Sequence, residues 1–187
     1  LRVDLAMKET SNSLPYRRLS AIFLSVLLGA CAGNQPPLAT VDHVELERFM
    51  GDWYVIGGIT TFLEKGAHNA VESYELKPDG SIATTFVFRK DGFDGEEKVH
   101  HPVGFVTDTD TNAVWGMRFV WPIKADYRIV YLTEDYSQTI IGRNKRDYVW
   151  IMARTPTISD DDYQRMLGLV ESMGYDMSKV KKVPQKW

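Results

Sequence analysis

The side chains able to do covalent or acid–base chemistry are few in this chain, and their spacing does not assemble them. There are four histidines, His43, His68, His100 and His101, and a single cysteine, Cys31. His100 and His101 are adjacent, so on a strand they point to opposite faces and cannot share one metal ion. The sequence contains no G-x-S-x-G elbow, H-E-x-x-H pair, P-loop or G-x-G-x-x-G turn. It reads as a non-enzyme, with no cofactor expected. What it does have is aromatic surface: five Trp, nine Tyr and eight Phe, 12% of the chain. Aromatic side chains bury large areas, so the chemistry to look for is the enclosure of something apolar.

Side chains alternate across a strand, and the alternation gathers these residues onto common faces. Trp115, Met117 and Phe119 share one face of a run at 113–121, with Gly116 and Arg118 on the other. Tyr148, Trp150, Met152 and Arg154 share a face at 148–154, and Ile82, Thr84, Phe86 and Phe88 share one at 81–89. At 67–76 the matching set is Glu72, Tyr74 and Leu76. If these faces line one interior, Tyr74, Phe86, Phe88, Trp115, Met117, Phe119, Tyr148, Trp150 and Met152 are its candidate ligand-binding residues. The same pattern also fits a filled core. Glu72 is either a costly lone carboxylate inside or a solvated residue on a bulge, and the sequence leaves both open. Arg89, Arg118, Lys124 and Arg128, near strand ends, are candidate partners for an anionic head group.

The elements that must position these residues are short β-rich runs at 53–59, 67–76, 81–89, 98–106, 113–121, 127–133, 137–143 and 148–154. Turn chemistry separates them, as in Lys77-Pro78-Asp79-Gly80, Asp91-Gly92, Asp94-Gly95 and Asn144-Lys145-Arg146-Asp147. The connections are too short for crossover helices, so neighbouring strands pair antiparallel. That predicts an all-β fold, an up-and-down barrel or a sandwich. One helix follows: Ser159 is its N-cap, and Tyr163, Met166, Leu167, Val170 and Met173 give an apolar face that packs outside the sheet. Gly174 ends it, and 180–183 offers a short final strand.

The N-terminal region differs from the rest. Arg17 and Arg18 precede twelve uncharged residues, Leu19 to Ala30, fewer than the ~20 that a membrane-crossing helix needs. A basic flank, a short apolar run and small residues make a secretory signal. Leu28-Gly29-Ala30-Cys31 resembles the lipobox of bacterial lipoproteins. The resemblance implies cleavage before Cys31 and lipidation of its thiol, giving an N-terminal anchor in the membrane. Ala32, where the inner-membrane pattern has Asp, implies the outer membrane and its periplasmic face. The expected organisation is a signal peptide at 1–30, a flexible tether at 31–40 and a folded domain at 41–187. A net charge of −3 and a sequence pI near 5.8 disfavour nucleic acid as a partner. A mean hydropathy of −0.26 with mixed charge argues against a disordered or multi-pass membrane chain.

Three short motifs fall where they reinforce one another: Gly51-Asp52-Trp53-Tyr54, Thr133-Glu134-Asp135-Tyr136 and Arg154-Thr155-Pro156. Together they resemble the three signature regions of the lipocalin family, and the segment 146–159 looks like the bacterial lipocalins. The resemblance implies a lipocalin-like eight-stranded antiparallel up-and-down β-barrel with one C-terminal helix outside. It assigns Gly51, Trp53 and Arg154 to the barrel base, the guanidinium stacked on the indole. It also implies a lipid ligand, a fatty acid such as palmitate or a lysophospholipid, stored or transported in the cell envelope. Thr133-Glu134-Asp135-Tyr136 departs from the family pattern by one extra residue. Two other readings stay open: a structural barrel without a ligand, and a binder of haem, through His100 or His101, or of another small hydrophobic ligand. Whether two chains pair as a homodimer is open too.

Overall fold

Ten strands form from these runs in the computed structural model, which describes residues 35–187. The expected signal segment 1–30 and Cys31 lie outside the described residues. The strands are β1 Gly51–Ile59, β2 Ala67–Leu76, β3 Ser81–Lys90, β4 Glu97–His100 and β5 Val103–Asp108. They continue with β6 Val114–Val120, β7 Ile123–Leu132, β8 Gln138–Gly142, β9 Val149–Ala153 and β10 Lys181–Lys182. All pairings are antiparallel; they run between chain neighbours except that β3 pairs both β4 and β5 and β10 pairs β1, and β9 returns to β1 through Tyr54↔Ala153 to Ile59↔Val149. That pairing closes an eight-stranded barrel, in which β4 and β5 together form one bent strand. β10 adds to the upper half of β1 at Gly57↔Lys182, beyond the last β1–β2 pair at Tyr54↔Val71.

Three boundaries differ from the sequence expectation. The run at 98–106 breaks at His101-Pro102, because proline has no N–H for the ladder. β7 begins at Ile123 rather than at 127, since Ile123, Ala125 and Tyr127 continue one alternating face back to a tight turn at Trp121-Pro122. The tether expected at 31–40 ends earlier. Leu38 is buried in the outer core, and its N–H donates to Asn144 Oδ1 at 2.8 Å.

Alternation splits the apolar residues into two cores. The inner one fills the barrel with Trp53, Tyr74, Phe86, Phe88, Trp115, Met117, Tyr127, Ile129 and Met152. The outer one holds helix α2, Asp160–Ser172, against the barrel wall. Tyr163, Met166 and Val170 from the helix meet Ile56, Ile140, Val149, Ile151 and Ala153. Ser159 caps α2 by accepting the Asp162 N–H at 3.0 Å, and Gly174 ends it at φ +86°.

The base is sealed by a four-residue helix, α1 (Leu46–Phe49), which sequence reasoning did not foresee. Phe49 is fully buried, with ring centroids 5.0 Å from Trp53, 5.7 Å from Tyr74 and 5.5 Å from Trp115. The Trp53 indole donates to the Phe49 carbonyl at 2.9 Å. The Arg154 guanidinium lies 3.9 Å from the Trp53 ring centroid and donates to the carbonyls of Arg48, Phe49, Asp52 and Tyr136. Gly51 adopts φ +92° directly beside it, a left-handed geometry that glycine takes without cost. At the other end of β1, a Cβ on Gly58 would come within 2.0 Å of the Val149 carbonyl oxygen.

Trp53→Ala should cost ~3–5 kcal/mol in urea unfolding, the usual range for a buried aromatic. Arg154→Ala should also destabilise. Because the two side chains touch, the double variant should lose less than the sum of the singles, by about 0.5 kcal/mol or more. Strict additivity would contradict the stack.

Candidate functional site

Above the plugged base the barrel is not filled. A cavity of about 320 Å³ opens at the end opposite α1. Its inner wall is made by Phe86 of β3, Met117 of β6, Tyr127 of β7 and Trp150 of β9, with the Glu72 side chain of β2 among them. Its rim comes from loops: Phe62 and Leu63 on a single 3₁₀ turn (Phe62–Glu64), the β6–β7 hairpin with Phe119, Val120 and Ile123, and Tyr148 before β9.

The nine expected ligand-binding residues divide. Phe86, Met117, Phe119, Tyr148 and Trp150 border the cavity. Tyr74, Phe88, Trp115 and Met152 are buried in the inner core but are not on its wall. Trp115 is locked low in the barrel, its indole donating to the Asn112 carbonyl at 2.7 Å and stacked on Tyr127 at 5.1 Å. Tyr74 shares a 2.5 Å hydrogen bond with the Tyr127 hydroxyl. Phe119 does not point into the interior as expected: it is 51% exposed on the rim. The β6–β7 register shifts between Met117 and Val120, and a bulge of that kind breaks the alternation on which the expectation rested.

The expected head-group cations also lie elsewhere. Arg89 pairs with Glu97 at 3.0 Å and Arg128 with Asp126 at 3.0 Å, while Arg118 and Lys124 lie over the Phe105 ring. The arginine that does border the cavity is Arg143, in the β8–β9 loop. It sits over the Tyr148 ring, reaches Asp147 at 3.3 Å and keeps a buried Nε without a hydrogen-bond partner. No sequence signal marks it. Tyr127 was hidden because both faces of its strand are apolar.

Two buried carboxyls face this space. Glu64 accepts from the Thr61 hydroxyl at 2.7 Å and from the Trp150 indole at 2.8 Å. Burial raises its pKa, and those donors pull it partly back. The Thr61-x-x-Glu64 spacing is a capping box, a signal the sequence did contain. Glu72 is inside the barrel, not on a solvated bulge. Burial pushes it up to about 8, countered in part by the Tyr74 hydroxyl and raised further by the Glu64 charge. It is therefore mostly neutral at pH 7. His100 borders the cavity, stacked on Phe86 and Phe88 at 6.4 and 6.1 Å, while His101 is exposed. Among the described residues no three His, Cys, Asp or Glu side chains come together as a metal-binding group. An apolar wall with a few engaged polar groups is the form of a binding site, not of a nucleophile with its base.

A family model described as a lipocalin-like domain matches residues 44–185. The outer membrane lipoprotein Blc of Escherichia coli K12 is 30% identical over 166 residues, covering 86% of this chain and 92% of that protein. Temperature-induced lipocalin-1 of Arabidopsis thaliana is 28% identical over 157 residues, 79% of this chain and 83% of its own. Among solved structures, insecticyanin of the tobacco hornworm Manduca sexta superposes with a TM-score of 0.62 at 13% identity, over 79% of this chain and 84% of that one. Lobster apocrustacyanin A1 gives 0.60 at 12% identity, over 76% and 81%. Those last two likenesses concern the fold alone. On sequence and architecture together, the chain belongs to the lipocalin family, among the bacterial lipocalins.

Proposed function

We propose that this lipocalin is a carrier of single-chain lipids, a fatty acid or a lysophospholipid, tethered to the outer membrane on its periplasmic side. The observation that supports the reading best is the apolar cavity above a sealed base, open to the surface through a rim of Phe62, Leu63, Phe119 and Ile123. An acyl chain entering it gains about 25 cal/mol for each Å² of apolar surface removed from water. The base stops the chain at Met117, Tyr127 and Phe86, so the polar end stays at the mouth. There the guanidinium of Arg143, which borders the cavity and is shared with Asp147 at 3.3 Å, is the cation placed to meet a carboxylate or phosphate. The tether is the thiol of Cys31, lipidated as in the bacterial lipoproteins its flanking residues resemble. Several of the chain's relatives are outer membrane lipoproteins by name, which supports the location.

Three outcomes test this reading. Binding of a long-chain fatty acid at micromolar concentration should shift tryptophan fluorescence, and Trp150→Ala should weaken binding about five- to thirtyfold, the equivalent of ~1–2 kcal/mol. A delipidated protein that takes up neither fatty acid nor lysophospholipid would end the carrier reading. Affinity for an unsubstituted fatty acid should fall as pH rises through about 8, where Glu72 ionises beside the chain. The ligand's own carboxyl is already ionised across that window, and Tyr74 and Tyr127 are raised well above 10 and stay neutral. The fall should therefore disappear in Glu72→Gln; a fall that persists there has another origin. Cys31→Ser should release the protein from the membrane fraction and remove the acyl mass seen by mass spectrometry.

A further inference from the structure

The polar group deepest in the cavity has no part in holding an anionic head group. Glu72 lies on the inner face of β2, opposite Trp53 on one neighbouring strand and Phe86 on the other. Its side chain is 9% exposed and borders the cavity beside Tyr127 and Met117. Among the described residues it forms no salt bridge. The neighbouring polar groups are engaged: Glu64 with Thr61 and Trp150, and Tyr127 with Tyr74, whose hydroxyl is also the polar neighbour of Glu72. The inner end is thus not a plain hydrocarbon wall.

An acyl chain made only of methylenes would lie against Glu72 and displace any water there without replacing its hydrogen bonds, which disfavours binding. A hydroxyl both donates and accepts, and so does a protonated carboxyl, so the two are matched. A cationic amine is matched less well. It would have to shed its water among Trp53, Phe86 and Met117, where a buried ion pair regains little of the desolvation. We propose that the inner end of the cavity is a subsite for a hydroxyl carried along the ligand's chain, with Glu72 as its hydrogen-bonding partner. The preferred ligand is then a hydroxylated acyl chain rather than a plain one. This rests on the acyl-lipid reading above and narrows it.

The test is a titration of the delipidated full chain with stearate, a mid-chain hydroxystearate and a long-chain alkylamine. The wild type should bind the hydroxystearate about tenfold more tightly than stearate, the worth of one well-placed hydrogen bond. Glu72→Leu should abolish or reverse that preference, whereas Glu72→Gln, which keeps a donor and an acceptor, should retain most of it. If Glu72→Leu does not fold, moving the hydroxyl along the chain in the wild type reads the same contact, because only the matching position gains affinity. Equal affinity for the two acids, or a preference that survives Glu72→Leu, overturns the subsite while leaving the carrier intact. Binding of neither acid defeats the carrier reading itself. The amine binding more tightly than both acids overturns the proposal in favour of an ion-pair site.

Discussion

Arg154 joins segments that sequence places far apart. Its guanidinium lies against Trp53, and its N–H groups reach carbonyls of α1, the start of β1 and the turn before β8. Those segments are what must be fixed for the barrel to have a floor. A guanidinium can do this because its planar fork offers several donors while its face stacks on an aromatic ring. With Phe49 pressed onto the same indole, the lower half of the interior is packed solid, and free volume collects only at the other end.

The proposed function rests on that uneven filling. A barrel of eight strands has room for side chains or for one small ligand. Here the large rings of Phe49, Trp53, Tyr74 and Trp115 occupy the base, while the upper strands and loops surround open space. The opening is ringed by exposed apolar residues, Phe62 at 81% and Ile123 at 69% among them. Polar groups also border it, Arg143 from the β8–β9 loop and Glu72 from β2 beside the base residue Trp53. The proposed lipid would enter such a space with its head outward.

Much of the frame was legible in the sequence because strand alternation is a local rule. Inward Trp150 and Met152 against outward Val149, Ile151 and Ala153 follow from one fixed point at Arg154, and the helix covers the outward set as its apolar spacing predicts. The cavity was less legible. Whether an inward aromatic lines a space or fills it depends on what approaches from the opposite wall, and no strand carries that information. Trp115 and Tyr74 were consumed by Phe49, from a helix too short to leave a pattern. Phe119 left the interior where a bulge broke the alternation. Arg143 sits on a loop, where side-chain direction follows from tertiary contacts rather than from spacing, whereas Glu64 had a local signal in its capping box with Thr61.

The central claim is that the upper cavity holds a single-chain lipid, and its most direct test is the composition of what the protein carries. The mature chain should be purified from membranes under mild conditions and extracted with organic solvent, which leaves any acyl group on Cys31 attached. Mass spectrometry of the extract should then show a fatty acid or lysophospholipid approaching one per chain. Recovery of a haem or of another ring-shaped apolar molecule at that ratio, with acyl lipids only at trace level, would contradict the account.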